Sequence, residues 1–202
     1  DPLGDIETID LELIMADLEM VNRRIEKAQK AAKGDKKFLH EVEVFKGLAE
    51  HLNAGKSART YEEVDIAAEY PDCELLSLKP VIYAANLDEE GFADPASVAH
   101  YQKVSARAAE EGAQCIPVCA KLEAEIAQLD GEEKALFLDD LGIAQSGLDR
   151  LIKSSYALLG LISFLTAGSD ECRAWTIKRG TKAPQAAGKI HTDFERGFIR
   201  AE

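Results

Sequence analysis

The sequence predicts a mixed α/β fold that carries a long antiparallel helical hairpin and ends in a small α+β module. Three patterns predict it: a heptad-like spacing of apolar residues near the N-terminus, two short apolar runs separated by an amphipathic segment, and apolar alternation near the C-terminus. The 202 residues, 46% of them hydrophobic and 30% charged, are enough to bury a core and too apolar for wholesale disorder.

The first predicted element is a long helix that forms one arm of a hairpin. Its apolar residues recur at alternating steps of three and four, the pattern of a coiled-coil seam. They are Leu11, Ile14, Leu18, Val21, Ile25, Ala28 and Ala32. Asp5 is expected to cap its N-terminus. Lys33-Gly34-Asp35-Lys36 interrupts the pattern, and the short link predicts an antiparallel second helix. The second seam consists of Phe38, Val42, Phe45, Ala49 and Leu52.

The middle of the chain predicts a strand–helix–strand unit. After a weaker helix near Val64–Leu76, the short apolar run Val81–Ala85 is typical of a strand buried in a parallel sheet. An amphipathic helix over Pro95–Glu111 leads to a second apolar strand, Cys115–Val118. Strand, helix and strand in this order are typical of a βαβ unit.

The C-terminal part predicts two helices followed by a β-hairpin. The helices span Glu132–Leu141 and Gly147–Leu161, and the strands Ile162–Thr166 and Cys172–Ile177 alternate with period two. The remaining predicted elements are a short helix over Lys189–Arg196 and the start of a strand at Phe198–Ala201.

Charge and composition exclude several classes of protein. The net charge of −13 predicts repulsion of nucleic acid and anionic lipid by the chain as a whole, so no DNA partner is expected and any RNA contact must be local. No apolar run is long enough to cross a membrane. The N-terminus has neither Met nor a basic stretch, so we expect no signal peptide and interpret the chain as part of a longer protein. The irregularly spaced cysteines are expected to be reduced core thiols, typical of a cytoplasmic protein.

Gly55-Lys56-Ser57 is a partial match to a phosphate-binding loop. That loop requires a glycine five residues earlier, where Glu50 stands, and it joins a strand to a helix, whereas this triplet follows a predicted helix. We therefore expect no phosphate loop in this sequence.

Asn86-Leu87-Asp88-Glu89 follows the first predicted strand at the edge where α/β proteins bind ligands. In guanine-binding GTPases the corresponding segment reads Asn-Lys-x-Asp, and its Asp accepts two hydrogen bonds from guanine. Here Leu87 and Glu89 replace the Lys and the Asp, and a carboxylate one methylene longer would not align with the paired donors of guanine. The alternative is an ordinary strand-to-helix turn with solvated acids.

The second predicted strand ends in Cys119-Ala120-Lys121, which resembles the Ser-Ala-Lys loop that abuts the base in the same proteins. Two such loops in the correct order favour base binding over an ordinary turn. No metal site is predicted, because Cys115 and Cys119 have no completing ligands. The histidines His40, His51, His100 and His191 are expected at the surface, without a catalytic role.

Basic residues concentrate in two stretches. Between Asn22 and Lys37, seven cationic residues face two acids, whereas residues 1–20 carry seven acids and no base. We call the cations of the first stretch the basic tip: Arg23, Arg24, Lys27, Lys30, Lys33, Lys36 and Lys37. The second stretch includes Arg173, Lys178 and Arg179. A charged run is usually a solvated face, but both stretches are also compatible with RNA phosphates.

Several segments together resemble the YchF family of Obg-like ATPases. They are Asp5–Ile9, Lys79–Asn86 with Glu89–Phe92, Pro117–Glu125, Arg173–Ile177 and Ala183–Ala201. The resemblance implies a P-loop G domain, a coiled-coil hairpin inserted into it, and a TGS module of β-grasp, ubiquitin-like fold. The implied division is 1–10 as a connection to the G domain, 11–60 as the hairpin, 61–161 as the C-terminal part of the G domain, and 162–202 as a truncated TGS module.

The resemblance further implies an ATPase that prefers ATP to GTP and associates with ribosomes and ribosomal RNA. The implied base-binding residues are Asn86, Leu87, Asp88, Glu89, Cys119, Ala120 and Lys121. The phosphate loop, the Mg²⁺ ligands and the catalytic residues of the family would precede Asp1, so we expect no catalytic residue here and no hydrolysis of ATP by this chain alone. The alternative is a non-enzymatic ribosome or RNA adaptor that uses the hairpin and the TGS module.

Overall fold

A computed structural model describes residues 1–143, 145–169 and 171–200. Its contacts divide the chain into two compact units. The first, which we call the hairpin unit, comprises Asp1–Val81 and Val98–Ala113. The second, the sheet unit, comprises Ile82–Ser97 and the described residues from Gln114 onward. The division into four segments that the family resemblance implies stays a prediction.

The helices and strands are numbered in chain order. The helices are α1 (Pro2–Ala32), α2 (Phe38–Asn53), α3 (Ile66–Glu69), α4 (Glu89–Ala93), α5 (Ala99–Glu110), α6 (Ala120–Ile126), α7 (Gly131–Asp140), α8 (Gly147–Leu158), α9 (Ala183–Ile190) and α10 (Thr192–Arg196). The strands are β1 (Ile82–Asn86), β2 (Gln114–Val118), β3 (Leu161–Ala167) and β4 (Cys172–Lys178). Short 3₁₀ turns occur at Ala58–Thr60 and Pro95–Ser97.

Helices α1 and α2 pack against each other as the arms of a hairpin. The prediction that Asp5 caps α1 is wrong, because the helix begins at Pro2 and Asp5 lies in its first turn. Proline suits this start, since its fixed φ is already helical and its missing N–H is not needed there. The coiled-coil character of the packing stays a prediction.

The core of the hairpin unit lies between α1, α2 and the segment that follows them. Its buried residues are Ile14, Val21, Val44, Phe45, Leu48, Ala49, Leu52, Ala58, Ile66, Cys73 and Leu75. Leu11 was expected on the seam but is 53% exposed. Val44 and Leu48 are buried outside the predicted seam, because α2 contributes to a core that also includes residues from the 58–75 segment. The predicted helix over 64–76 is confined to α3, since Pro71 disfavours helical backbone at Tyr70.

The two predicted central strands are confirmed, each within one residue of its expected bounds. The expectation that the first strand is buried is wrong: Ala84 is exposed and no residue of β1 is fully buried, because among the described residues β1 pairs with β2 alone. Strands β1 and β2 are parallel, with Ile82 opposite Gln114 and Asn86 opposite Val118. The helix predicted between them begins at Ala99 rather than Pro95. Helix α8 packs against β2 and ends before β3, because Gly160 adopts a left-handed φ of 62° that terminates the helix.

The predicted C-terminal hairpin is confirmed: β3 and β4 are antiparallel, with Leu161 opposite Lys178. The single helix predicted over Lys189–Arg196 is wrong. Two helices, α9 and α10, meet at His191, whose extended backbone interrupts the helix and whose Nδ1 accepts a hydrogen bond from the Asp193 N–H. Phe198 to Arg200 form no strand, and Ala201 lies outside the described residues. Within the described ranges, no helix is long and apolar enough to cross a membrane.

Candidate functional site

The parallel pairing of β1 and β2 brings two loops together at the carboxyl edge of the sheet. Asn86 is the last residue of β1 and Val118 the last of β2. The Leu87 N–H donates to the Val118 carbonyl at 2.8 Å, and the Ala120 N–H donates to Asn86 Oδ1 at 3.0 Å. The two loops are therefore joined through both backbone and side chain, at the edge where α/β sheets bind ligands.

A third contact joins the same loops. The Lys121 ammonium donates to Glu89 Oε1 at 2.6 Å, although the two side chains are 72% and 53% exposed. The hydrogen bond to the Glu89 carboxylate raises the pKa of the Lys121 ammonium. The ammonium is thus charged at neutral pH, and the pair places one donor beside one acceptor.

A cavity of about 420 Å³ lies beside these contacts. It is lined by Asn86, Leu87, Asp88, Glu89, Glu90, Cys119 and Lys121. Leu87 is half-buried and packs against a small apolar cluster of Phe92, Cys119, Leu122 and Ile126. All of the residues that the family resemblance implies for base binding, except Ala120, therefore line one cavity.

Two of the predicted base-binding residues have other contacts. Asp88 accepts a hydrogen bond from the Gly91 N–H at 2.8 Å and so caps the short helix α4. Cys119 is 1% exposed, and its thiol belongs to the apolar cluster. Contacts of these two residues with a base stay predictions.

Known proteins share this arrangement of elements and sequence. A family model named YchF-GTPase_C, described as "Protein of unknown function (DUF933)", matches residues 161–202. The "Ribosome-binding ATPase YchF" of Bacillus subtilis is 52% identical over 204 residues, covering 100% of this chain and 56% of that protein. The chain belongs to the YchF family.

More distant relatives agree with this assignment. The "Obg-like ATPase 1" of Gallus gallus is 40% identical over 211 residues, which are 100% of this chain and 52% of that protein. The structure of the Schizosaccharomyces pombe YchF GTPase superimposes with a TM-score of 0.85 at 32% identity, covering 98% of this chain and 55% of that one. This YchF-family chain spans about half the length of the curated relatives it matches.

A carboxylate that the sequence reasoning missed supports the second loop of this YchF-family chain. Glu123, on α6, accepts hydrogen bonds from the Gly147 and Leu148 N–H groups at the start of α8. A side chain at Gly147 would place its Cβ 3.0 Å from Glu123 Oε1 and 3.3 Å from Val118 Cγ1, so the close approach of α8 favours glycine at this position. The acceptor for a helix start lies 24 residues away in sequence, and local capping patterns do not detect it.

The other sequence candidates lie away from this cavity. Gly55-Lys56-Ser57 follows α2 rather than a strand, and it lines a different cavity. The charged residues that share this lining are Glu7, Asp10, Arg59, Arg107, Glu110 and Glu111. His51 is half-buried rather than exposed, and its Nε2 lies 2.8 Å from Thr60 Oγ1. Cys172 is exposed rather than a core thiol. No set of three or more potential ligands for a metal ion occurs in the described part of the chain.

The basic tip has one residue that differs from the rest. Its Arg23 and lysine side chains are exposed, whereas Arg24 is only 20% exposed and donates to Glu41 and Asp72, each at 2.8 Å. The Arg24 guanidinium also lies 4.7 Å from the ring centroid of Phe45. The hydrogen bonds from Arg24 lower the pKa of the Asp72 carboxyl. Arg24 is therefore held within the protein. The other cations of the tip are exposed, even where they have an acidic partner, as Arg23 has in Glu19 at 3.5 Å and Lys37 has in Asp35 at 3.0 Å.

The second basic stretch lies on the β3–β4 hairpin and the turn after it. The Arg173 guanidinium stacks 4.3 Å from the ring of Trp175. The Trp175 Nε1–H donates to Thr166 Oγ1 at 2.9 Å, which orients the ring. Lys178 and Arg179 are exposed. RNA binding by either basic stretch stays a prediction.

Proposed function

We propose that this chain supplies the base-recognition part of the nucleotide site in an ATPase that associates with ribosomes. One observation carries the proposal: Asn86, Glu89, Ala120 and Lys121 are joined across the carboxyl edge of a parallel strand pair. The names of the relatives, ribosome-binding ATPase and Obg-like ATPase, support the activity and the partner. A ribosome-associated role also favours the cytoplasm.

The proposed preference for ATP follows from the chemistry of the first loop. Asn86 holds the two loops together, the Leu87 side chain covers one face of the base, and the Glu89 carboxylate accepts from the base edge. The Lys and Asp of a guanine reader are absent at positions 87 and 89. The carboxylate at position 89 is one methylene longer than that Asp, so it would not align with the two adjacent donors of guanine.

We further propose that phosphoryl transfer depends on the part of the relatives that this chain does not match. The sequence contains no complete phosphate loop. Mg²⁺, when bound, would polarise the γ-phosphate for attack by water, but the described residues offer no ligand set for it. This chain would therefore bind and orient the base, while another segment positions the phosphates.

A second candidate function is that of an adaptor for RNA or the ribosome without catalysis. The observation that favours it is the exposure of the lysines of the basic tip on an otherwise acidic chain. In this proposal residues 11–60 act as a coiled-coil probe and 162–202 as a TGS module, while the base site is idle. The two proposals share the ribosome and differ in whether nucleotide is bound.

Calorimetric titration of the full-length protein with ATP and GTP tests the first proposal. The double variant Leu87→Lys, Glu89→Asp is expected to shift the preference toward GTP by about 1–3 kcal/mol, the discrimination of a good bidentate base contact. Glu132→Asp, an exposed acid on α7, is the matched control and should leave the preference unchanged. An unchanged ATP-to-GTP affinity ratio in the double variant would mean that this loop does not read the base. Failure of the wild type to bind either nucleotide would favour the adaptor.

A further inference from the structure

The ion pair between Glu89 and Lys121 lies where a base would contact the cavity. Its two side chains come from different loops, and both line the cavity. Ion pairs as exposed as this one contribute little to the stability of a fold. Its main effect is therefore local: it determines where the oxygens of the Glu89 carboxylate lie.

The backbone on both sides of the pair is held in place. The Ala120 N–H is bonded to Asn86, which positions the residue next to Lys121. The side chain of Asp88 caps α4, which positions Glu89 at the first residue of that helix. The ammonium and the carboxylate thus face each other in the absence of a ligand, and ligand binding does not have to bring them together.

Guanine and adenine present different hydrogen-bonding groups to such an ion pair. Guanine presents N1–H and the N2 amino group side by side, and a carboxylate satisfies both only when both of its oxygens are available. Adenine presents one amino group, at N6, next to the acceptor N1. A carboxylate oxygen can accept two hydrogen bonds, but the contact with the ammonium turns Glu89 Oε1 toward Lys121. The pair therefore offers, among the described residues, one carboxylate oxygen without a partner beside a cation, rather than two such oxygens side by side.

We propose that Lys121 is a specificity-determining residue that disfavours guanine by holding one oxygen of Glu89. This inference rests on the proposed function, because it requires a base in the cavity. A bound base excludes water from the pair and strengthens the attraction between its charges. Guanine must turn Glu89 Oε1 away from the ammonium to align both carboxylate oxygens with its paired donors, whereas adenine leaves the contact with Lys121 intact.

Nucleotide titrations of Lys121 variants in the full-length protein test the inference. Lys121→Met removes the charge but keeps an unbranched apolar stem, and it should raise the affinity for GTP relative to ATP about fivefold, the effect of one net hydrogen bond. Lys121→Arg keeps a cation beside Glu89 and should retain the preference for ATP. Lys153→Met, at an exposed position on α8, is the matched control and should change neither affinity.

A second background separates a specific effect from a structural one. In Glu89→Gln the carboxylate is absent, so adding Lys121→Met should leave the ATP-to-GTP ratio where Glu89→Gln alone puts it. An equal loss of affinity for ATP and GTP in Lys121→Met, or an unchanged ATP-to-GTP affinity ratio, overturns the role of Lys121 while leaving the proposed function intact. A wild-type protein that binds neither nucleotide overturns both.

Discussion

The hairpin unit and the sheet unit differ in the burial of the polar contacts inside each of them. In the hairpin unit the decisive contacts are buried: the Asp17 side chain is 0% exposed and lies beside an apolar core that includes Phe45 and Leu48. In the sheet unit the contacts that join the base loops involve exposed side chains, among them Glu89 and Lys121. Loss of a buried polar contact lowers the free energy of unfolding substantially, whereas loss of an exposed one changes it little, so an exposed side chain can bind a ligand instead. The contacts that stabilise the fold and those proposed for base recognition therefore lie in different units.

Asp17 shows what a buried contact does in the hairpin unit. Its carboxylate accepts hydrogen bonds from the Leu76 and Ser77 N–H groups, both at 2.7 Å. Ser77 in turn accepts a hydrogen bond on Oγ from the Ala58 N–H at 2.9 Å. Asp17 therefore anchors the 76–77 segment to α1, and the buried Ser77 side chain joins the 58 segment to the same contact.

The largest expected effect comes from removing this anchor. Asp17→Ala removes a buried charged acceptor and leaves the buried Ser77 N–H and the part-buried Leu76 N–H without it. Because hydrogen bonds to charged groups are among the stronger ones, we expect the variant to lower the free energy of unfolding by about 2–6 kcal/mol. Denaturant unfolding followed by circular dichroism measures the change. Asp17→Asn keeps one acceptor oxygen and should lose less, while Asp5→Ala, at an exposed position, should lose almost nothing. A small loss in Asp17→Ala would contradict the difference between the two units.

Two leucines, one buried in the hairpin unit and one exposed in the sheet unit, test the same difference in stability. Leu48 is 0% exposed in the hairpin core, whereas Leu165 of β3 is 79% exposed. Leu48→Ala should lower the free energy of unfolding by about 2–5 kcal/mol because it leaves a cavity. Leu165→Ala should change it by less than about 0.5 kcal/mol. Similar losses at the two positions would show that the exposure of Leu165 does not reflect its environment in solution.

Charge reversal of the basic tip tests its surface without touching its core. We expect Lys→Glu at Lys27, Lys30, Lys33, Lys36 and Lys37 to weaken co-sedimentation with ribosomes at least about tenfold and to flatten its salt dependence, since each lost phosphate contact removes about 0.7–0.9 from the slope. Arg24 is left in place because it is bonded within the hairpin unit. Nucleotide affinity should not change.

The control for that variant carries the same change in net charge elsewhere. Lys→Glu at five other exposed lysines, Lys46, Lys56, Lys79, Lys103 and Lys153, should leave co-sedimentation nearly unchanged. Circular dichroism should show the same helix content in all three proteins, because the buried residues Val21 and Phe45 are retained. Equal losses in the two variants would indicate a dependence on net charge alone. Unaltered binding of the tip variant would favour the stretch around Arg173.

The smallest effect concerns the exposed ion pair. Its hydrogen bond raises the pKa of Lys121, so Glu89→Gln should return that pKa toward the ordinary lysine value of about 10.4. The pair is complete below the ordinary value and is lost as the pH rises through the raised pKa. An NMR titration of the Lys121 side chain measures the shift. Glu132→Gln should have no effect, and a pKa unmoved by Glu89→Gln would mean that the pair does not form in solution.

The family and the parallel strand pair could be predicted because the residues that indicate them are close together in the sequence. The apolar runs that become β1 and β2 are short and continuous, and the loop residues Asn86 and Lys121 follow them directly. Helix ends were less predictable. His191 interrupts a helical pattern because its backbone is extended and its side chain accepts from the Asp193 N–H. Residues with moderate helix propensity do not indicate such a break in the sequence.

Sequence alone determined the hairpin, the parallel strand pair, the β-hairpin and the composition of both base loops, because apolar spacing and strand ends are encoded by near neighbours. Only the tertiary structure shows that Lys121 pairs with Glu89, that Glu123 accepts hydrogen bonds from the start of α8, and that Asp17 anchors residues far along the chain. Each of these contacts joins side chains and backbone groups that are distant in sequence. Their geometry depends on how whole elements pack, and no local pattern of residues specifies it.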